Sequence, residues 1–399
     1  MHVEKNGTYV PRSEKTKTMS KIEIKTISAG RGIKQFIEFH TSLYKGDKYA
    51  VPYLFKSEKD TLDPKKNPAF GFCQAECYMA YRDGKPVGRI AAIINNRANE
   101  KWNTKAVRFG FFDFIDDREV SKALIDKVKE YGKSHGMDNI IGPMGFTDMD
   151  REGMLVSGFD YLASMHANHN YEYYPRHMEA MGEFEKDNDW VMLSMPVPDA
   201  IPPKMLKVGT MIEKRYNLHA RKLTRHQLLK EGYGKKIFDI LNECYGHLYG
   251  FSKLDDRQID DIVSNYISIA DLNLVTVVTD DNKGGEIVGF GISFPSFSEA
   301  LQKTKDGKLF PFGWYHLLKA LWFHKTSTVD LLLVGVLPEY RTKGANALIF
   351  CDLIRWYQKY GFKKALALPM METNNGVLDQ WSYFDAHEVK RLRSYKAKL

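Results

Sequence analysis

The fold prediction starts from one stretch, Val329-Asp330-Leu331-Leu332-Leu333-Val334-Gly335-Val336-Leu337-Pro338-Glu339-Tyr340-Arg341-Thr342-Lys343-Gly344-Ala345. The residues before Pro338 are almost all apolar, which is the pattern of a strand buried on both faces. Pro338 ends that strand, and Arg341, Lys343 and Gly344 lie where the next helix begins. The helix dipole and unpaired backbone N–H groups attract anions at such a position. We therefore predict an anion-binding turn between a buried strand and a helix.

The same order of elements occurs twice in the chain, which indicates an internal duplication. Each copy begins with a hairpin around an acidic, glycine-containing turn and continues with a strand, a helix and a second strand. The first copy is predicted at 76–81, 86–95, 108–115, 118–135 and 139–144, and the second at 273–279, 286–294, 329–336, 341–360 and 364–369.

Residue matches between the copies locate an insertion in the second one. Gly88 aligns with Gly289 and Ala123 aligns with Ala347, so the second copy is about 23 residues longer between these points. The extra residues fall in 298–328 and include an apolar helix in which Trp314 and its neighbours share one face, surrounded by lysines. This helix is consistent with three roles: core packing, a cap over an acyl chain, or contact with a membrane surface.

Composition limits the classes of function. The chain has 399 residues, a formal net charge of +8 and four cysteines. The positive charge suits an acidic ligand or an anionic membrane, but it is dispersed, so we do not expect nucleic acid as a partner. The cysteines form no disulfide framework, no uninterrupted apolar stretch is long enough to span a membrane, and the first residues lack a signal core. These features predict a cytoplasmic protein, with peripheral contact at the inner face of the membrane as a further interpretation.

The stretch Pro338-Glu339-Tyr340-Arg341-Thr342-Lys343-Gly344-Ala345, with its strand and helix, resembles the acyl-CoA pyrophosphate loop of GNAT acyltransferases. With the duplication, the chain is similar to bacterial tandem-GNAT proteins. The resemblance implies an α/β fold with a mixed sheet, in which two GNAT-like domains pack as a pseudo-duplicate. The predicted division is a flexible extension at 1–19, an N-terminal domain at 20–198 and a C-terminal domain at 205–399 that contains the insertion.

The resemblance also implies site residues in the second copy. The central strand and the strand after the helix would splay apart around the pantetheine of acetyl-CoA or a longer acyl-CoA. After the closing strand, Glu372 is a candidate general base, and Tyr383 is a candidate general acid. The implied CoA-binding residues are Leu333, Val334, Gly335, Val336, Arg341, Thr342, Lys343, Gly344, Ala345, Asn374 and Asn375.

The first copy lacks the basic turn and has Asp116-Asp117-Arg118-Glu119 instead. Carboxylates there cap a helix but repel a pyrophosphate, so we interpret this copy as degenerate for CoA. Its segment 166–177 is dense in His and Tyr, which suits either a substrate-facing rim or packing between domains. A metal site is not expected, because no further ligand is placed by spacing. The substrate-binding candidates are His166, His169, Tyr173 and Trp314.

Together these features predict an acyl-CoA-dependent N-acyltransferase that acylates an amine. A lipid-like or long-chain-base acceptor, as in ceramide synthesis, would agree with the apolar character of the insertion. The alternative is a non-catalytic protein that uses the duplicated fold to bind an acyl-CoA or a partner. The sequence does not decide the oligomeric state.

Overall fold

The computed structural model describes residues 21–28, 30–264, 269–378, 380–381 and 384–399. The extension predicted at 1–19 lies outside these residues. The strands are β1 Glu23–Ile27, β2 Cys73–Arg82, β3 Lys85–Asn95, β4 Ala106–Phe114, β5 Asn139–Gly142, β6 Met154–Ser157, β7 Glu185–Pro196, β8 Leu218–Arg221, β9 Val275–Asp280, β10 Glu286–Pro295, β11 Thr328–Val336, β12 Lys364–Met371 and β13 His387–Lys398.

The α-helices lie mostly between strands. They are α1 Arg31–Leu43, α2 Phe55–Thr61, α3 Asn96–Lys101, α4 Arg118–Ser134, α5 Tyr173–Ala180, α6 Pro203–Tyr216, α7 Arg225–Lys230, α8 Tyr233–Tyr245, α9 Asp256–Ile262, α10 Ser298–Gln302, α11 Gly313–Phe323, α12 Pro338–Arg341, α13 Asn346–Tyr360 and α14 Asn375–Leu378. Within the described part of the chain, no helix combines the length and apolar content needed to cross a bilayer.

The strands form one continuous mixed sheet in the order β1-β2-β3-β4-β5-β13-β7-β12-β11-β10-β9-β8, and β6 pairs with β13 at the side. The two copies lie in this sheet as β2-β3-β4-β5 and β9-β10-β11-β12. In each copy a hairpin, a central strand and a helix lead to a strand parallel to the central one. The predicted duplication is therefore visible in the fold, and the mixed α/β architecture is confirmed.

The two halves are joined by strands that cross between them. The strand β7 precedes the second copy in sequence but pairs with its β12, whereas β13, which follows the second copy, pairs with β5 of the first. These two strands also pair with each other at the middle of the sheet. Because β7 pairs with β12, β13 pairs with β5, and β7 and β13 pair with each other, continuous backbone hydrogen bonding links the two halves.

One amphipathic helix of each copy packs on the sheet. In α4 the buried residues include Val120, Leu124 and Val128, which are spaced at three to four residues along one face. In α13 they include Leu348, Ile349 and Leu353, and α6 covers part of this helix from the other side. Helix α4 contacts β2, β3, β4 and β5, whereas α13 contacts β8, β9 and β10, so each helix packs on the hairpin strands of its own copy.

Candidate functional site

In the second copy, a cleft begins where the two central parallel strands, β11 and β12, stop pairing. Pairing between β11 and β12 runs from Thr328 to Leu331 on one strand and stops at Ala367 on the other. β11 also carries a bulge at Leu332 in its pairing with β10, which bends the strand further. Beyond this point the two strands diverge, as expected for a cleft that takes an extended ligand arm.

The divergent strands form one wall of a cavity of about 930 Å³. This wall consists of Leu331, Leu332, Leu333 and Val334 from β11 and Ala367, Leu368, Pro369 and Met370 from β12. The opposite wall comes from the first copy, so the cavity lies between the two halves. Its size and largely apolar lining are those of a site for a small molecule or acyl chain.

Two side chains fasten the end of β11. The Tyr245 hydroxyl of α8 donates to the Val334 carbonyl at 3.2 Å, and the Arg341 Nε donates to the Val336 carbonyl at 2.9 Å. Burial raises the pKa of Tyr245 to about 12, so this phenol stays protonated at neutral pH. Gly335 and Val336, which we expected on the cleft, are at the fastened end and not on the cavity wall.

The helix predicted at 341–360 begins at Asn346, after the short α12 and a turn that contains Gly344. Gly344 has a φ of +80°, and a Cβ there would lie 3.3 Å from Ile212 of α6. The glycine is thus needed for the backbone conformation and for the approach of α6, in addition to any approach of a phosphate. The N–H groups of Lys343 and Gly344 donate within the turn, to the Tyr340 and Arg341 carbonyls.

The basic side chains of this turn remain available to an anion. Arg341 and Thr342 are exposed, and Lys343 is half-buried with its ammonium 4.2 Å from the centre of the Tyr340 ring. Ala345 is buried beneath them and immediately precedes α13. The donor set, two cations and a hydroxyl at a helix start, fits a pyrophosphate.

The same place in the first copy is filled by the protein itself. Asp117 caps α4 by accepting from the Glu119 and Val120 N–H groups, and it pairs with Arg82. Tyr173 donates to the Phe114 carbonyl at 2.5 Å, and Tyr174 accepts from the Phe114 N–H at 3.2 Å. Phe114 is the counterpart of Val336, since they pair with the matching glycines Gly88 and Gly289. Tyr173 therefore completes the end of β4 and does not line the cavity.

The wall opposite the cleft is acidic. Asp148, Asp150 and Glu152 line it in one loop between β5 and β6. Burial raises the pKa of all three, that of Asp148 to about 6, and the neighbouring charges of Asp148 and Asp150 raise that of Glu152 further. Asp148 also accepts from the Ser252 N–H at 3.1 Å, so it is held between the two halves.

Two of the predicted histidines lie on the same wall. Burial and the nearby Arg151 lower the pKa of His166 to about 4, so its imidazole is neutral at pH 7. His169 places Nε2 3.0 Å from the Asp47 carboxylate, and its Nδ1 is buried without a hydrogen-bond partner. Burial also lowers the pKa of His169. Both histidines line the cavity, and their role toward a substrate stays a prediction.

Arg151 organises this side of the cavity. It pairs with Glu58, and its guanidinium stacks 3.5 Å from the centre of the Tyr53 ring. The other Glu58 oxygen is buried without a partner. Sequence reasoning missed the loop 148–152. Four charged residues between glycines, Gly145 and Gly153, were the available signal.

Three further predicted residues, Glu372, Asn374 and Trp314, do not line the cavity. Glu372 pairs with Lys186 and, at 2.8 Å, with Arg391, so its carboxylate is already neutralised. The Asn374 backbone carbonyl accepts from Val377 at the start of α14, and for Asn375 only the helical backbone is described. Tyr383 lies outside the described residues. Trp314 points outward, with its indole N–H donating to the Pro311 carbonyl at 3.0 Å.

Metal ligands do not gather in the described residues, where no three His, Cys, Asp or Glu side chains could hold an ion together. The four cysteines are all free and buried.

Solved structures share this architecture over nearly the whole chain. A tandem GNAT protein from the clavulanic acid biosynthesis pathway superposes with a TM-score of 0.55 at 11% identity, covering 95% of this chain and 98% of its own. This chain has the tandem GNAT fold. A GCN5-related glucosamine N-acetyltransferase region of a fungal multi-domain β-N-acetylglucosaminidase gives a TM-score of 0.56 at 12% identity, over 94% of this chain and 38% of that one.

Two curated proteins are similar to the tandem GNAT chain in sequence. Protein YghO of Escherichia coli K12 is 27% identical over 383 residues, which cover 94% of this chain and 95% of the relative. A protein named bacterial ceramide synthase, from Caulobacter vibrioides, is 25% identical over 343 residues, covering 83% of this chain and 84% of the relative. No protein-family profile matches the sequence.

Proposed function

We propose that this protein transfers an acyl group from an acyl-CoA to the amine of a lipid-like acceptor. The observation that carries the proposal is that the splayed β11–β12 wall and the acidic loop 148–152 line the same cavity. The first wall suits a thioester with its pantetheine arm, and the second suits a positively charged amine. Bringing the two reactants together in one enclosed site supplies much of the catalysis in a direct transfer.

The acyl-CoA would enter across the basic turn. Arg341 and Lys343 would hold the pyrophosphate at the start of α13, and the thioester would reach the wall formed by Leu333 and Val334. A backbone N–H of β11 that is no longer paired with β12 can polarise the thioester carbonyl. Asn374 and Asn375 follow β12 and would flank the same arm.

The acceptor amine must lose a proton before it can attack, because an ammonium has no free electron pair. Asp148 has the properties of a general base for this step, since its pKa of about 6 leaves it ionised but basic at neutral pH. Its attraction for the ammonium is strengthened by Asp150 and Glu152 beside it. The neutral imidazoles of His166 and His169 would accept hydrogen bonds from the rest of the acceptor's polar head.

The departing thiolate needs a proton. Two tyrosines are candidates: Tyr245, whose hydroxyl lies on the cavity wall, and Tyr383, which follows the wall residue Trp381 by two positions. Glu372 remains a second candidate base, but its carboxylate is held in ion pairs with Lys186 and Arg391 and does not line the cavity. We rank Asp148 above it for this reason.

The acceptor class is inferred from the apolar lining and from one relative. Aliphatic and aromatic side chains such as Leu332, Leu368 and Phe238 form much of the wall, so a long hydrocarbon chain can be buried there. The Caulobacter relative carries the name ceramide synthase, and a ceramide is an N-acylated long-chain base. A sphingoid-type amine is therefore the first acceptor to test.

The decisive experiment follows release of free CoA thiol from acetyl-CoA and palmitoyl-CoA in the presence of a long-chain amino alcohol, a short amine or no amine. We expect release only with acyl-CoA and the long-chain amine together, with an amide as the product by mass spectrometry. Asp148→Asn should abolish release, and Asp126→Asn, at an exposed position of α4, should not. Tight acyl-CoA binding without thiol release for any amine would favour the alternative of a non-catalytic binding protein.

A further inference from the structure

The insertion predicted at 298–328 exposes a cluster of large apolar side chains. We define the aromatic hairpin as residues 309–323, which comprise the loop before α11 and α11 itself. Phe310 is 78% exposed and Trp322 is 66% exposed. Seven of the twelve exposed large hydrophobic residues in the described chain belong to this segment: Phe310, Phe312, Trp314, Tyr315, Leu318, Trp322 and Phe323. A concentration of this kind marks an interaction surface.

The hairpin is held so that these side chains face outward. On its inner side, Ala320 and Leu321 are buried, and Leu317 packs on the cluster around Leu301. The preceding turn is fixed to the first half, because the Phe55 N–H donates to the Gly307 carbonyl at 3.1 Å and Lys308 pairs with Glu38 at 2.9 Å. The exposed aromatics are therefore presented by an anchored element.

The charges around the hairpin favour an anionic partner. The insertion contains five lysines against two carboxylates, and Lys303, Lys305, Lys319 and Lys325 are exposed. Basic residues near an anionic bilayer are attracted by its negative surface potential. Tryptophan and tyrosine are the residues that prefer the membrane–water boundary. A second copy of the chain is a poorer occupant, because a two-fold contact would bring the same lysines together.

The hairpin also adjoins the cavity. Leu309 lines the cavity, and the next residue, Phe310, is among the most exposed of the aromatics. Tyr53 and Leu54, which lie beside the anchored turn, line the cavity as well. A lipid surface bound by the hairpin would thus lie next to an entrance to the cavity.

We propose that the aromatic hairpin docks this protein on an anionic membrane surface, with its aromatic side chains in the interface and its lysines against the lipid headgroups. The inference does not rest on the proposed catalysis, because it concerns binding alone. It predicts that membrane binding persists in a variant without transferase activity, such as Asp148→Asn.

The test is co-sedimentation of the full chain with vesicles of phosphatidylcholine alone or of phosphatidylcholine with phosphatidylglycerol. We expect binding to the anionic vesicles, reduced at least about tenfold in the double variant Phe310→Ser, Trp322→Ser, because both side chains would lose apolar burial. The matched control, Leu206→Ser with Met211→Ser, removes two exposed apolar residues of α6 and should bind like the wild type. Lys319→Glu with Lys325→Glu should weaken binding only to the anionic vesicles.

Three outcomes would overturn the proposal. The wild type could fail to sediment with either vesicle, or the hairpin variant could bind as well as the wild type. Sedimentation velocity could also show that the wild type is a dimer and the hairpin variant a monomer, while neither binds vesicles. This result would assign the face to a second copy of the chain. Since the substituted side chains are exposed, unchanged thermal unfolding of each variant would exclude misfolding as the cause.

Discussion

Asp113 and Gly335 occupy the same place on the central strands of the two copies, and the difference separates their roles. In the first copy, Asp113 receives hydrogen bonds from Arg89 Nε at 2.7 Å and Tyr44 at 3.2 Å, and it lies 3.0 Å from His40 Nδ1. A polar cluster thus stands in the first copy where, in the second, the Phe290 ring and Cys244 pack against Gly335. Burial opposes ionisation of Asp113, but the charges of His40 and Arg89 outweigh it and lower its pKa.

Removing the Asp113 carboxylate should destabilise the folded protein. We expect Asp113→Asn to lower the free energy of unfolding by roughly 3–5 kcal/mol, because Arg89 would remain buried without its counter-charge. Since the pKa is lower in the folded state, this stabilisation is present above the unfolded pKa and is lost as the pH falls. Urea titrations at neutral and acidic pH measure both effects, and the exposed pair partner Asp126→Asn should cost no more than ~0.5 kcal/mol.

If Asp148 is the catalytic base, the rate of acyl transfer should depend on pH. A base acts only when deprotonated, so kcat/KM should rise with pH through about 6, the pKa to which burial raises this carboxyl. Asp148→Asn should remove that rise together with most of the activity, about 10²-fold or more. A pH–rate profile of wild type and variant checks this. An unchanged profile in the variant would transfer the role to another group, with Glu372 the first to examine.

The turn between β11 and α13 offers a direct test of CoA binding. We expect Lys343→Glu to weaken binding of CoA at least about tenfold, since a cation beside the pyrophosphate is replaced by an anion. Lys359→Glu makes the same charge change at the far end of α13 and should leave CoA affinity unaltered. Isothermal calorimetry compares the two, and we expect one CoA per chain because Tyr173 and Asp117 complete the corresponding turn of the first copy.

Gly344 is a poor position at which to test CoA binding by substitution. Any side chain there must adopt a φ of +80° and displace Ile212, so a substitution would disturb α6 as well as the turn. Loss of CoA binding in Gly344→Glu would therefore not distinguish a lost contact from a lost element. Substitution of the half-buried Lys343 changes the charge without this effect, whereas substitution of Arg341 also removes its hydrogen bond to the Val336 carbonyl.

Local patterns predicted most elements correctly. The strand 329–336 is observed as Thr328–Val336, and the helix 118–135 as Arg118–Ser134, because each has a strong periodic pattern and a clear end signal. The acidic loop 148–152 was not predicted as a site, since the burial that raises the pKa of its carboxyls is a property of the folded chain and not of the local sequence. Trp314 was expected on the substrate because helical spacing identifies a shared face but not which face is inward.

At the scale of the whole molecule, the crossing strands β7 and β13 make the two halves interdependent. A chain of residues 20–198 would retain β5 but lack β13, and it would carry β7 without its partner β12. We expect this fragment alone to be unfolded or aggregated, because it exposes unpaired strand edges. Circular dichroism and gel filtration of the fragment, alone and co-expressed with 199–399, would check the expectation, and a folded monomeric fragment would contradict it.

The pairing of Gly142 with Tyr395 also has a consequence during synthesis of the protein. A ribosome releases β5 long before it has made the strand that covers its edge, so the first half must wait with that edge open while the second half is translated. Nascent chains on neighbouring ribosomes would meet with matching open edges. The order of translation thus places the period of greatest aggregation risk before residue 398 emerges, and a chaperone that shields the first half would be most useful then.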